Sequence, residues 1–295
     1  MSPCVDYKPP HAAGRGPCAP LPYNGAVPTP FNHLALAEAV RIDPRLPAKT
    51  RRFLDRSRPA FLLGNTAPDY VSLAGRPRAE SHLFEVPMAD RRPAHRILFA
   101  RHPDLADARA LDPDRAAFLA GYIVHLWIDQ AWIAYIFEPA FGPSVGRGTF
   151  DERLLDHNLL RAALDQEDLT RLPSGLGAAL RQAEPRGWLP FASDESLRRW
   201  RDDLASQLGP GGRPSTMEVF AARHGIEPRA FAARVTSLEA GPVRPARVEA
   251  FRRLATDRAL LLTGGYLEGR LDSVEFLNAP FPRTTPIRGL EAIRR

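Results

Sequence analysis

The chain has 295 residues, room for one large domain or two small ones, and 44% of them are hydrophobic, enough for a sizeable core. Forty basic against thirty-four acidic residues leave a formal charge of +6, too little at this length to argue by itself for nucleic acid. Thirty prolines exclude a long coiled coil, and two cysteines, Cys4 and Cys18, exclude a disulfide framework for the body of the protein.

In chain order, residues 1–30 are rich in proline and glycine and lack periodicity, so a disordered leader is expected. It has no basic segment followed by an apolar run, so no secretory signal is expected and a cytoplasmic protein is the default. Residues 31–295 are expected to form one all-α domain, with 211–270 a helical C-terminal extension. A first helix starts near Phe31 with Asn32 as its cap, and a second spans Lys49 to Arg56. Ala60 to Tyr70 is a short apolar run ending in a turn. Residues 71–95 read as irregular and polar, followed by a helix near Arg91–Arg101.

The clearest helix is Pro113 to Phe137, opened by Pro113 and Asp114 and apolar nearly all round, as a central bundle helix is. Its length would span a bilayer, but His125, Asp129 and Gln130 fall near its middle, so a buried helix without membrane insertion is expected. Further helices are expected over Phe150–Gln166, Pro173–Gln182, Ser193–Leu208, Met217–Leu238 and Arg247–Glu268, with an extended tail after Arg270. No alternating strand pattern appears. Ser215 to Val235 has the outline of a helix–turn–helix, with a second helix opened at Pro228. That helix offers Arg229 and Arg234 among Ala, Phe and Val, which suits packing better than base readout. His224 reads as a cap-region residue, and His11, His95 and His102, among Pro and Arg, as exposed.

The chemistry gathers on the central helix. His125 and Asp129 are four apart and share one face. Burying an imidazole and a carboxylate costs several kcal/mol unless they are paired or bound to a metal, so something must compensate. A core His125–Asp129 hydrogen bond is one answer; a shared metal ion is the other. His33, Asp69 and His82 are further ligand-type residues. Taken singly they also read as a helix-start histidine, a turn aspartate and a loop histidine.

Taken in order, these residues resemble the zinc-dependent phospholipase C and fungal single-strand nuclease family. The pattern runs His33, then Gly-Asn-Thr-Ala-Pro-Asp69, then Ser-His82-Leu-Phe, then Ala-Gly-Tyr-Ile-Val-His125-Leu-Trp-Ile-Asp129. The resemblance implies an all-α fold and zinc as cofactor. Asp69, His82, His125 and Asp129 would be ligands of one ion, and Asp129 would bridge to a second completed partly by His33. It further implies Asp69 as general base and hydrolysis of a phosphodiester or phospholipid by a metal-activated hydroxide. The substrate would be a small-molecule or lipid phosphoester.

Three departures concern the metals. Phe31-Asn32 stands where secreted members use an N-terminal tryptophan. Tyr135 stands where the family has a histidine. His157 is followed four residues on by Arg161, where a carboxylate is expected. His157 reads as a helix-surface residue or a replacement ligand. One or two zinc ions are therefore expected. The alternative is a non-catalytic helical protein with a residual structural metal site and a C-terminal helix pair that binds a partner or nucleic acid.

Overall fold

The computed structural model describes residues 27–237 and 242–283. Residues 1–26 of the expected leader, with Cys4, Cys18 and His11, lie outside that range. The leader's last four residues are described, and Val27 and Thr29 among them are buried. All regular structure among the described residues is helical, so the chain is all-α.

Thr29, not Asn32, stands before the first helix, α1 (Pro30–Ile42), because Pro30 supplies a fixed φ suited to the opening turn. Asn32 lies inside it and donates to Asp168 at 2.6 Å. Helices α2 (Ala48–Arg56) and α3 (Arg58–Gly64) follow, then a 3-10 turn over Ala67–Tyr70. The segment expected to be irregular contains two single-turn helices, α4 (Val71–Ala74) and α5 (Ala79–His82), before α6 (Ala94–Arg101).

The central helix is α7 (Pro113–Trp132). Asp112 accepts from the Arg115 amide at 2.9 Å as its cap, and every residue from Ala116 to Trp132 is buried. By length and composition Pro113–Phe141 could cross a membrane, yet its most apolar window is wholly buried in the protein. Gln130, polar in mid-helix, accepts from the Ala94 amide at 2.7 Å and donates to the Arg92 carbonyl at 3.0 Å. It thereby satisfies one of the orphan donors at the start of α6. Past Trp132 the helix widens into a π turn over Ile133–Phe137, and Arg247 donates to the Tyr135 carbonyl there.

After the short α8 (Glu138–Phe141), α9 (Phe150–Arg171) opens with a Thr149–Glu152 capping box. Then come α10 (Leu176–Arg181) and α11 (Asp194–Gln207), capped by Ser193. The segment from Met217 onward divides at Gly225 into α12 (Thr216–Arg223) and α13 (Pro228–Thr236). Phe220, Ala221, Phe231 and Val235 form a small second core with Leu159 and Ala162 of α9, while Arg229 and Arg234 are exposed. Helix α14 (Pro245–Leu267) packs on α7, and the tail expected to be extended contains α15 (Glu275–Asn278).

Three histidines differ from expectation, His102 in being half-buried rather than exposed. His95, read as exposed, is fully buried with Nε2 3.2 Å from Asn278 Oδ1, because the short turns of the tail close over α6. His157, read as a helix-surface residue, is fully buried among Trp132, Phe137 and Phe141. His102 is half-buried beside Phe191, and His224 follows α12 and meets the Asn158 amide at 2.8 Å.

Helices α3 and α7 pack backbone against backbone at two glycines. A Cβ on Gly64 would lie 2.0 Å from the Phe118 carbonyl oxygen, and one on Gly121 2.5 Å from that of Phe61. These backbone atoms cannot yield without separating the helices. Gly64→Ala and Gly121→Ala should each destabilise by about 3 kcal/mol in urea unfolding. Gly146→Ala, at an exposed glycine with open space around it, should stay within about 0.5 kcal/mol of wild type.

Candidate metal centre

The centre begins with the helical spacing on α7. One turn apart, His125 Nε2 and Asp129 Oδ2 are 3.2 Å from each other, and both residues are fully buried. Helix α1 brings His33 Nε2 to 3.1 Å from the other oxygen, Asp129 Oδ1. The His33 ring stacks on His125 with centroids 3.9 Å apart. His82, the last residue of α5, places Nε2 3.2 Å from His125 Nε2 and 3.4 Å from Asp129 Oδ2. Asp69, in the 3-10 turn, lies 3.4 Å from His82 Nε2 and 4.0 Å from His125 Nε2.

All five residues singled out in the sequence therefore meet in one place. They form two overlapping sets whose ligand-type atoms lie within 4.8 Å of one another: His33, His125 and Asp129, and Asp69, His82 and His125. His125 belongs to both. Asp69 is the member that reaches outward, with its side chain 18% exposed, whereas His33, His82, His125 and Asp129 are closed off from solvent.

The polar groups around the cluster decide which atoms face inward. His125 Nδ1 lies 2.8 Å from the Asn65 carbonyl oxygen, which can only accept. Nδ1 must therefore carry a proton, and in a neutral ring Nε2 presents a lone pair. That lone pair faces Asp129 Oδ2, an acceptor facing an acceptor. Only a cation between them, a proton or a metal ion, removes the repulsion. His82 Nδ1 has the Ser81 hydroxyl at 2.9 Å and the Arg78 carbonyl at 3.2 Å, so its Nε2 is likewise turned to the centre. The Tyr122 hydroxyl of α7 donates to the Ser81 carbonyl and holds α5 against the central helix. Leu83 adopts a left-handed φ of 63° just after His82 and ends the turn there. Such outward ties are what orient metal-ligating histidines.

The electrostatics follow from this crowding. Burial raises the Asp129 carboxyl, but the charges of His125 and Arg78 and the hydrogen bonds of His125 and His33 outweigh it and hold it well below the usual range. Burial acts the same way on Asp69, where the charge of His125 and the hydrogen bond and charge of His82 prevail and bring it to about 2. For His33, burial and the neighbouring charge of His125 push the imidazole down, against the pull of Asp129. Two carboxylates held ionised and a histidine held neutral are the protonation states a zinc ion requires of its ligands.

Arg78 donates to Asp129 Oδ2, a contact the sequence reading missed because Arg78 lies in a segment read as polar and irregular. The positions expected of a third ion do not supply a set of ligands. His157 Nε2 accepts from the Trp132 indole at 2.9 Å, so it is not a replacement ligand. Tyr135 sits on the π turn, and Arg161 brings a cation where a carboxylate would be needed.

A family model for zinc-dependent phospholipase C matches residues 32–181, which include all five side chains. The chain belongs to the zinc-dependent phospholipase C family. No curated protein and no solved structure matches it. The family is zinc-dependent, and imidazole and carboxylate are donor types that zinc takes.

Zinc binding should fall when the pH is lowered from about 7.5 to about 5, because protons compete with zinc for imidazole nitrogens while the two depressed carboxylates stay ionised. Equilibrium dialysis with elemental analysis reads this directly. At about pH 7.5, His125→Ala should lose more zinc than His33→Ala because His125 belongs to both sets. Zinc content that is flat across that pH range would contradict histidine ligation.

Proposed function

We propose that this protein is a zinc-dependent phosphoric-ester hydrolase whose centre is formed by His33, Asp69, His82, His125 and Asp129. The observation that carries the reading is the Asn65–His125 tie, which leaves His125 Nε2 opposed to Asp129 and in need of a cation. Asp129 would hold zinc together with the histidines on its two sides, since Oδ1 faces His33 while Oδ2 faces His82 and His125. When bound, zinc would supply a Lewis acid that makes water more acidic and neutralises charge growing on phosphorus-bound oxygens.

The chain's own residues do the rest. A cleft of about 420 Å³ opens over the centre, with Asp69 and His82 on its wall. Asp69, whose side chain is partly exposed where that of His82 is not, is the group positioned to take a proton from an attacking water. Buried Asp129 and the imidazoles behind it hold the geometry, and Arg78 offsets part of the negative charge. The non-catalytic alternative draws on one observation, the loss of the third ion's positions at Tyr135, His157 and Arg161. On the catalytic reading that loss weakens leaving-group stabilisation and makes turnover slow.

Zinc-loaded protein should hydrolyse bis-p-nitrophenyl phosphate slowly. Asp69→Asn and Asp129→Asn should each reduce the rate by about 100-fold or more, as loss of acid–base groups or ligands does. Activity that survives both substitutions or needs no metal would overturn the mechanism. Stoichiometric zinc without turnover on any phosphodiester or phospholipid would favour the structural alternative.

A further inference from the structure

The cleft above the centre is lined by four arginines and two aspartates. Arg76 pairs with Glu80, and Arg78 with Asp129. The other two come from different helices onto one ring. The Arg161 guanidinium of α9 lies 4.4 Å from the centroid of Phe220, and that of Arg223, at the end of α12, lies 5.5 Å from it. Arg161 is held from behind by Asn158 Oδ1 at 2.9 Å. No carboxylate of the described residues lies within ion-pair distance of Arg223, although Asp69 lines the same cleft. Of the two aspartates, Asp69 belongs to the centre, and Asp203 accepts from Gln207 at 2.7 Å.

Two cations on a shared aromatic platform repel each other and gain from an anion placed between them. Planar guanidinium forks match the oxygens of phosphate or carboxylate. We propose that Arg161 and Arg223, seated on Phe220, form an anion subsite beside the centre that selects phosphoesters bearing at least two negative charges over zwitterionic ones. The ring that could have faced a quaternary ammonium group is already occupied by guanidinium, and a cationic headgroup there would meet two like charges. Arg161 stands four residues after His157, where the family resemblance leads one to expect a carboxylate ligand. Burial brings Arg161 down to about 9, which still leaves it charged at neutral pH, and burial also lowers Arg223, against the pull of Asp69.

The inference rests on the phosphoesterase reading for its link to turnover, but not for anion binding, and two measurements separate them. Inorganic phosphate is titrated calorimetrically into the full chain, with and without zinc, and zinc content is measured on the same samples. Arg223→Gln should weaken phosphate binding roughly tenfold in both states, with zinc content unchanged, and Arg223→Lys should recover part of the loss. In the loaded enzyme, kcat/KM should favour p-nitrophenyl phosphate over p-nitrophenylphosphorylcholine, and Arg223→Gln should narrow that ratio. Because Arg161 is buried, Arg161→Gln is read only alongside a circular dichroism check, and Arg223→Gln carries the decision. Equal phosphate affinity in wild type and Arg223→Gln would overturn the subsite, whatever the activity. Arginine-dependent phosphate binding in a protein that takes up no zinc would uphold the subsite and sink the hydrolase reading instead.

Discussion

The hydrogen bond between His125 Nδ1 and the Asn65 carbonyl is the contact on which the rest of the centre depends. It sets the tautomer of the one histidine common to both ligand sets. It also requires the end of α3 to lie against the middle of α7, which the bare backbones of Gly64 and Gly121 allow. A methyl group at either glycine would push Asn65 away and release the imidazole. Packing between two helices thus determines on which side of a ring a lone pair is found.

The same contact explains why so much charge is tolerated in the core. A carboxylate and three imidazoles closed off from solvent, with a second carboxylate at the edge, would cost many kcal/mol if unpaired. Here each group faces a partner of opposite sign or a group that a cation would join. Arg78 contributes one positive charge from a loop that a single helical turn, α5, also uses to present His82. Farther out, Arg161 and Arg223 flank Phe220 on the wall of the cleft.

The parts of this arrangement that could be read in the sequence are those with a short-range signature. His125 and Asp129 announce themselves because an i, i+4 polar pair in an apolar helix demands compensation. Asp69 and His82 are legible through the order of motifs around them. His95 and His157 were misplaced because their neighbours in sequence, Arg96, Asp156 and Arg161 among them, suggest a solvated face. Their burial comes instead from the tail folding over α6 and from α9 pressing on the π turn. Arg161 and Arg223 lie 62 positions apart in a chain rich in arginine, so nothing local marks them as neighbours; only the packing of α12 on α9 does.

The most direct test of the central claim is anomalous X-ray diffraction at the zinc absorption edge from crystals of the zinc-loaded protein. The account predicts density with the Nε2 atoms of His82 and His125 and a carboxylate oxygen of Asp129 at roughly 2.0–2.2 Å from an ion. Zinc found only elsewhere on the molecule, with His125 Nε2 still opposed to Asp129 at hydrogen-bond distance, would contradict it.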